Sequence, residues 1–348
     1  LASEDRKVVA MSEAAVMSHR HIRERIATLP RLDIALKKTP LEEARNLSRT
    51  LGGPRIFVKR DDLTGVALGG NKLRNLEFRL AHAMKDDPDT VIVGLDLQSN
   101  SARQTVGACN KLGLKTILVL EGRRPNNVQG NLLVDYLLGA DVHFAADQRE
   151  QRAMLDSLAE EVRANGGRPH ILNDNPMFDV ASAVAYLEVA LEVIEQLAAR
   201  ELEPDCFYMS SSGKGSAGIM LAKKLLGADF TMQAICATAE FDLPSRTARI
   251  ANETIAALKL DIAVTEDEVV NTDAFVGKGY GIPSEAGDEA VRLFARTEGI
   301  ILDPIYTGKA AAGMIAHIRE CRFKPDDVVV FVHTGGTPAI FTWNEIWV

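Results

Sequence analysis

Cysteine is scarce in this sequence, and the four present, Cys109, Cys206, Cys236 and Cys321, lie far apart. None forms a C-x-x-C pair, so their spacing supports neither a zinc site nor a disulfide framework. No metal is expected, and a reducing cytoplasm is the expected home. Positive charge is also in deficit: 40 Lys and Arg against 48 Asp and Glu leave a net charge of -8. A protein built to hold nucleic acid or an anionic membrane needs a concentrated basic face, so those partners are not expected. A local basic pocket for one phosphate stays open. No apolar run approaches the roughly 18 residues of a membrane-spanning helix. Residues 4–7 are all charged, and after a very short apolar run the charge returns from His19 to Arg25. That opening does not read as a secretory signal. Repeats, low-complexity tracts and long Pro/Gly linkers are missing too. Two domains, for which 348 residues suffice, would therefore be joined by compact crossings.

What is present is an alternation of two periods. Short apolar runs at 56–58, 91–93, 117–120, 142–144, 206–209, 234–237 and 328–332 read as buried strands. Between them lie helical patterns: Leu73, Leu76, Leu80 and Ala81; Leu187, Ala190, Leu191, Ile194 and Leu197; Met220, Leu221 and Leu225. Residues 86–89 and 166–169 read as turns. Strand–helix alternation of this kind predicts an α/β fold with mostly parallel, open sheets covered by helices on both faces.

Six segments carry chemistry-bearing residues. Gly69-Gly70-Asn71-Lys72 opens a helical pattern; the glycines permit a tight turn, Asn71 can cap the helix, and a desolvated Lys72 can act as a nucleophile. Gln98-Ser99-Asn100-Ser101 follows a strand and offers a hydroxyl and an amide near a helix N-terminus. Ser210-Ser211-Ser212-Gly213-Lys214-Gly215-Ser216-Ala217-Gly218 also links a strand to a helix, and its amides and hydroxyls form a phosphate cradle in physical terms. It lacks Walker A spacing. Its glycines match G-x-G-x-x-G numerically, but no acidic ribose ligand follows at the required distance. Finally, Gly279-Tyr280-Gly281, Asp303-Pro304-Ile305-Tyr306-Thr307-Gly308-Lys309 and His333-Thr334-Gly335-Gly336 are turn-rich segments, the last at a strand end where α/β folds place ligands.

Taken in order, KRDDLTGVALGGNK, QSNSARQT, GYGIPSE, DPIYTGK and HTGG resemble the family of D-cysteine desulfhydrase and 1-aminocyclopropane-1-carboxylate (ACC) deaminase. The likeness runs from about Pro40 to Pro338. It implies a tryptophan-synthase-β-like fold and pyridoxal 5'-phosphate as cofactor. On that basis Lys72 looks like the lysine that holds the cofactor as a Schiff base and later serves as the base at Cα. Asn71 and Asn100 look like cofactor contacts, Asn100 at the 3'-oxygen. Ser211, Ser212, Gly213, Lys214, Gly215 and Ser216 would hold the phosphate, and Thr334 would face the pyridine nitrogen. Ser99 would meet the substrate carboxylate or aid proton transfer, beside the tyrosine pair Tyr280 and Tyr306. The implied reaction is β-elimination from a small amino acid, as in conversion of D-cysteine to pyruvate, sulfide and ammonia. The resemblance also implies a homodimer. The expected domains are 1–72 plus 182–348, the larger, and 73–181, the smaller, with the cofactor between them.

Several positions depart from the family pattern. Asn75 stands where a phosphate-contacting lysine is usual, and Lys214 is an extra cation within the cradle that would replace it. Leu95-Asp96-Leu97 replaces a Gly-Gly stretch, Ser101 replaces a histidine, and Asn173-Asp174-Asn175-Pro176 replaces a glycine-rich loop expected to line the substrate side. Thr307 follows the second tyrosine where an ACC deaminase is expected to carry glutamate. The readings left open are ACC deaminase, a racemase or dehydratase on the same fold, a non-catalytic amino-acid-binding protein, and a nucleotide enzyme using residues 213–218. The role of residues 1–25 is open between an exposed helix and a dimer arm, with His19 and His21 expected at the surface.

Overall fold

In the computed structural model, which describes residues 16–240 and 242–348, the β-branched runs fold as strands. In chain order these are β1 (Leu41–Glu43), β2 (Arg55–Arg60), β3 (Thr90–Asp96), β4 (Lys115–Glu121), β5 (Asp141–Ala145), β6 (Pro169–Ile171), β7 (Cys206–Ser210), β8 (Thr231–Ile235), β9 (Val270–Thr272) and β10 (Val328–His333). They make two sheets, in the orders β1-β2-β10-β7-β8-β9 and β5-β4-β3-β6. Neighbours run parallel throughout, except that β1 is antiparallel to β2. Parallel pairing requires crossovers, which the helices supply, and their packing buries both faces of each sheet. This is why β10 reads as an unbroken apolar run: all six of its residues are buried.

Two apolar clusters flank the six-stranded sheet. One gathers the helices Phe178–Ala198, Lys214–Leu226 and Leu243–Leu258; the other gathers Glu285–Glu298 and Thr307–Arg319. Two more sandwich the smaller sheet, under Lys72–Ala83 and Asn100–Lys111 on one side and Gln148–Ala164 on the other. Strand order reverses direction beside β10 and β7 in one sheet and beside β3 in the other. Crevices outside the carboxyl ends at such points are where open α/β sheets take ligands. Three of the chemistry-bearing segments sit there: residues 98–101 after β3, 210–218 after β7, and 333–336 after β10.

Some expectations are corrected. β1, β6 and β9 have only three residues each, too short for a period to show. The run at 234–237 ends as a strand at Ile235, and Ala237 faces the cavity described below. The opening residues 4–7 lie outside the described residues. Helix His19–Ile26 docks through Ile22 and Ile26, while His19 meets Glu195 at 3.2 Å and His21 is exposed. Among the described residues, no helix is long and apolar enough to cross a membrane.

Candidate active site

After β2 the chain makes two short 3-10 turns, Asp61–Leu63 and Val66–Leu68, and reaches Gly69 and Gly70 at φ +69° and +118°. A Cβ on Gly69 would strike the Asp62 carbonyl, and one on Gly70 would lie 2.6 Å from Gln104 Nε2. Gly335 packs backbone to backbone against Gly70, since a Cβ there would fall 2.8 Å from the Gly70 Cα. Thr64 Oγ1 accepts from the Gly70 amide at 2.8 Å and donates to its carbonyl at 2.7 Å. The Asn71 amide donates to the Thr334 carbonyl at 3.0 Å. Lys72, the first residue of its helix, is thereby fixed against the end of β10. The expected capping by Asn71 does not occur: its backbone is already helical, and its side chain donates instead to Tyr186 Oη at 2.8 Å.

Lys72 lines a cavity of about 410 Å³ between the strand ends, a size suited to a small organic ligand. Asp96, Ser99, Asn100 and Ser101 enter it from β3; Ser210, Ser211 and Ser212 from β7; Thr334 and Gly335 from β10. Asn71, Tyr280 and Tyr306 also line it, joined by Gln148, Ala237, Thr238 and Glu240; of the residues expected from sequence, Gly213, Lys214, Gly215 and Ser216 do not line it. Ser99 is also the N-cap of Asn100–Lys111, its Oγ accepting from the Ser101 and Ala102 amides. Asn131 donates to Asn100 Oδ1 at 2.9 Å, which leaves the Asn100 amide nitrogen as the donor for a ligand. The segment 173–175 does not line the cavity. Asn173 bonds both backbone groups of Gly94, Asp174 pairs with Arg152, and Asn175 donates to the Arg79 carbonyl.

The two tyrosines are held by Asp303 and Lys309, the ends of the DPIYTGK segment, to which the sequence assigns no role. Asp303 accepts from the amides of Ile305, Tyr306 and Thr307, fixing the turn that presents Tyr306. The fully buried Lys309 donates to the carbonyls of Val276 and Gly279, fixing the loop that presents Tyr280. The tyrosine hydroxyls meet at 2.5 Å. Thr307 turns away, its hydroxyl donating to Asp303 at 2.6 Å.

Two further cations act on Lys72 from outside the cavity lining. Burial, with Lys214 and Arg79 nearby, lowers the Lys72 amine from 10.5 to about 8. Lys214 meets Asp179 at 3.1 Å, and its amine lies 3.4 Å from the centre of the Phe178 ring. Arg79 stacks over the same ring at 4.3 Å. Beside them runs the loop 211–216, braced by Ser211 Oγ, which accepts from the amides of Gly213 and Ser216 and bonds Ser216 Oγ at 3.0 Å. Gly215 and Gly218 are demanded by packing: a Cβ on Gly215 would lie 2.5 Å from Met209 Cε, and one on Gly218 would strike the Ala183 carbonyl. This accounts for the glycine spacing without any dinucleotide.

A family model described as pyridoxal-phosphate dependent enzyme matches residues 32–335. The chain belongs to this family. As a pyridoxal-phosphate dependent enzyme it has pyridoxal phosphate for its cofactor. It is 36% identical over 325 residues to the D-cysteine desulfhydrase of Salmonella paratyphi C (strain RKS4594), covering 92% of this chain and 98% of that one. A crystal structure of an ACC deaminase homologue superposes with a TM-score of 0.82 at 30% identity, covering 94% of this chain and 98% of its own. The processed form of threonine deaminase isoform 2 from Solanum lycopersicum shares the fold, at TM-score 0.62 and 17% identity, covering 95% and 89%. The fold is thus the expected tryptophan-synthase-β-like one.

The cavity fits the cofactor. Buried polar atoms stand without partners behind it: Arg79 Nε, whose charge acts on Lys72, and Thr247 Oγ1, 3.3 Å from where a Gly213 Cβ would be. Three mutually repelling cations beside helix N-terminal amides suit a phosphate. Arg79, Asn131, Asp303, Gln148 and Glu240 were not picked out as site residues from sequence. Two of them left a trace there: Arg79, two helical turns after Lys72 on the same face, and Asp303, at the head of the DPIYTGK motif.

Proposed function

We propose that this enzyme is a lyase acting on a small amino acid, by proton removal at Cα and loss of a group from Cβ, as a D-cysteine desulfhydrase-like activity. The observation that carries the proposal is the convergence of Lys72, Asn100, Thr334 and the Tyr280–Tyr306 pair on one cavity. Bound there, pyridoxal phosphate supplies the electron sink that makes the Cα proton removable. The Lys72 amine holds the cofactor and takes that proton. Asn100 presents its amide nitrogen to the 3'-oxygen. Thr334, a neutral hydroxyl, faces the pyridine nitrogen, where a carboxylate would hold the ring more firmly protonated. Ser99 and the N-terminus of its helix receive the substrate carboxylate, and the tyrosine pair faces the departing group. For D-cysteine the balance is closed with water: pyruvate, hydrogen sulfide and ammonia. Thr307, bonded to Asp303, leaves no carboxylate after the second tyrosine, which favours this reading over ACC deamination. The test is the visible spectrum of the purified protein during addition of D-cysteine. The expected result is a cofactor band that shifts as sulfide appears; no band, even with added cofactor, removes the proposal.

The phosphate is assigned to residues 211–216, with Lys214 and Arg79 replacing the charge that Asn75 lacks. Lys214→Met, which keeps contact with Phe178, is expected to weaken cofactor binding to the apo-protein by about tenfold, the worth of one good charge-assisted bond. Absorbance titration measures it, and unchanged affinity removes Lys214 from the phosphate site. The division into residues 1–72 plus 182–348 and 73–181 is supported by the smaller sheet, whose strands all fall between Thr90 and Ile171. The described cysteines are all unpaired, in keeping with a cytoplasmic protein. The homodimer is carried by family likeness.

A further inference from the structure

Two carboxylates, Asp96 and Glu240, line the cavity together with the tyrosine pair. β3 ends at Asp96, in the segment where this chain departs from the family's glycines. Tyr280 Oη donates to Asp96 Oδ2 at 3.2 Å, and a carboxylate accepts only, so the direction of that bond is settled. Tyr280 has no second proton. Its 2.5 Å contact with Tyr306 is therefore Tyr306 donating to Tyr280. Both phenolic protons are committed along the line Tyr306 to Tyr280 to Asp96, and the pair turns lone pairs toward a ligand. Burial and neighbouring carboxylates hold both phenols above their ordinary range, so they stay protonated and this order persists. Glu240 lines the same cavity, and its charge also acts on Tyr280. Gln148 is an amide of the same lining.

Resting on the reading that Lys72 presents the cofactor to an amino acid here, we propose that Asp96 determines side-chain selectivity. The site takes α-amino acids whose β-substituent donates hydrogen bonds or is cationic, and turns away anionic ones. An anionic substituent would meet two carboxylates and tyrosine oxygens whose protons point elsewhere; like-charge juxtaposition is how a site rejects a wrong partner. A β-ammonium group would meet acceptors in Asp96, Glu240 and the tyrosine oxygens. Its elimination balances without a redox partner. The Cα proton goes to Lys72, and the Cβ–N bond breaks with its electron pair leaving on ammonia. Water then converts 2-aminoacrylate to pyruvate and a second ammonia.

The experiment uses the holoenzyme with racemic 2,3-diaminopropionate and racemic cysteate, which share a skeleton and differ in the charge of the β-substituent. Binding is read from the shift of the visible band, and turnover from ammonia or sulfite release. The wild type is expected to prefer diaminopropionate by at least about tenfold, and Asp96→Asn to narrow the preference by about tenfold through KM, the effect of removing one nearby charge. The resting band should be unchanged. Glu240→Gln provides a second variant, expected to narrow the preference in the same direction. Cysteate bound as well as diaminopropionate by the wild type, a ratio unchanged in both variants, or a response to D-cysteine with no binding of diaminopropionate would each overturn the proposal. A missing resting band is a different failure: it overturns the cofactor reading, and selectivity falls with it.

Discussion

Lys72→Ala is expected to lower kcat/KM by at least about 10³-fold, the upper range for losing a positioned acid–base group, because the same amine also anchors the cofactor. The visible band of the covalently held cofactor should vanish, while the circular dichroism of the fold stays as in the wild type. Stability should not suffer, since the substitution removes an amine that burial and two cations disfavour in its charged form and alanine is the better helix former. Lys72→Arg should be equally inactive, because a guanidinium stays protonated. The depressed pKa adds a signature in the wild type. Below about 8 Lys72 is the ammonium and above it the free amine. Attachment of added cofactor to the apo-protein should therefore accelerate as pH rises, with its half-maximum near that value rather than near the ordinary 10.5. Stopped-flow absorbance reads the rate. A half-maximum above 10, or appreciable turnover by Lys72→Ala, would show that another group does this work.

The second large effect lies two residues after the lysine, in the same helix. Arg74, fully buried, donates to both oxygens of Asp61 at 2.8 Å and to both oxygens of Glu192 at 2.8 and 3.0 Å. Lys59, also fully buried, reaches Glu192 at 2.7 Å and the Thr39 carbonyl at 2.8 Å. Intact, such a cluster contributes little net stability, because desolvation offsets the attraction. Broken on one side, it leaves a carboxylate buried without its partner. Arg74→Met is therefore expected to destabilise by about 3–5 kcal/mol, measured as the loss in urea-unfolding free energy. The loss should diminish when Asp61 and Glu192 are made neutral in the same chain. A cost under about 1 kcal/mol would mean that water reaches the cluster and screens it.

How much of this was legible in the sequence depends on where each signal is stored. Strands such as β3, β4 and β10 announce themselves because a strand buried on both faces must be apolar throughout. The glycine pairs at 69–70 and 335–336 point to the site because two backbones meet there. Lys72, Asn100, Tyr280 and Tyr306 could be placed together because they lie in ordered segments that match a family. Asn131 could not, since it acts through a contact set by tertiary packing and stands in no local pattern; Asp303 and Lys309 lie within the DPIYTGK motif, but their bonds to the turns that present the tyrosines are likewise set by packing. Asn71 misled for a similar reason: a capping residue type was judged by its neighbours in sequence, while Tyr186, distant in the chain, claims its amide. The segment 173–176 misled because its asparagines satisfy buried backbone groups at the edge of β3 rather than a ligand.

The position of β10 has a consequence for how the molecule comes to be made. It lies between β2 and β7 although it is the last strand of the chain. The smaller sheet is complete once residue 171 has been synthesised, so it can fold while the ribosome is still working. The larger sheet stays divided, β1 and β2 on one side and β7 to β9 on the other, until residues 328–333 arrive. The same residues bring Thr334 and Gly335 to Lys72. The cradle for the cofactor therefore closes only after β10 has been synthesised, and a chain cut short before β10 lacks both the centre of its larger sheet and one wall of its pocket.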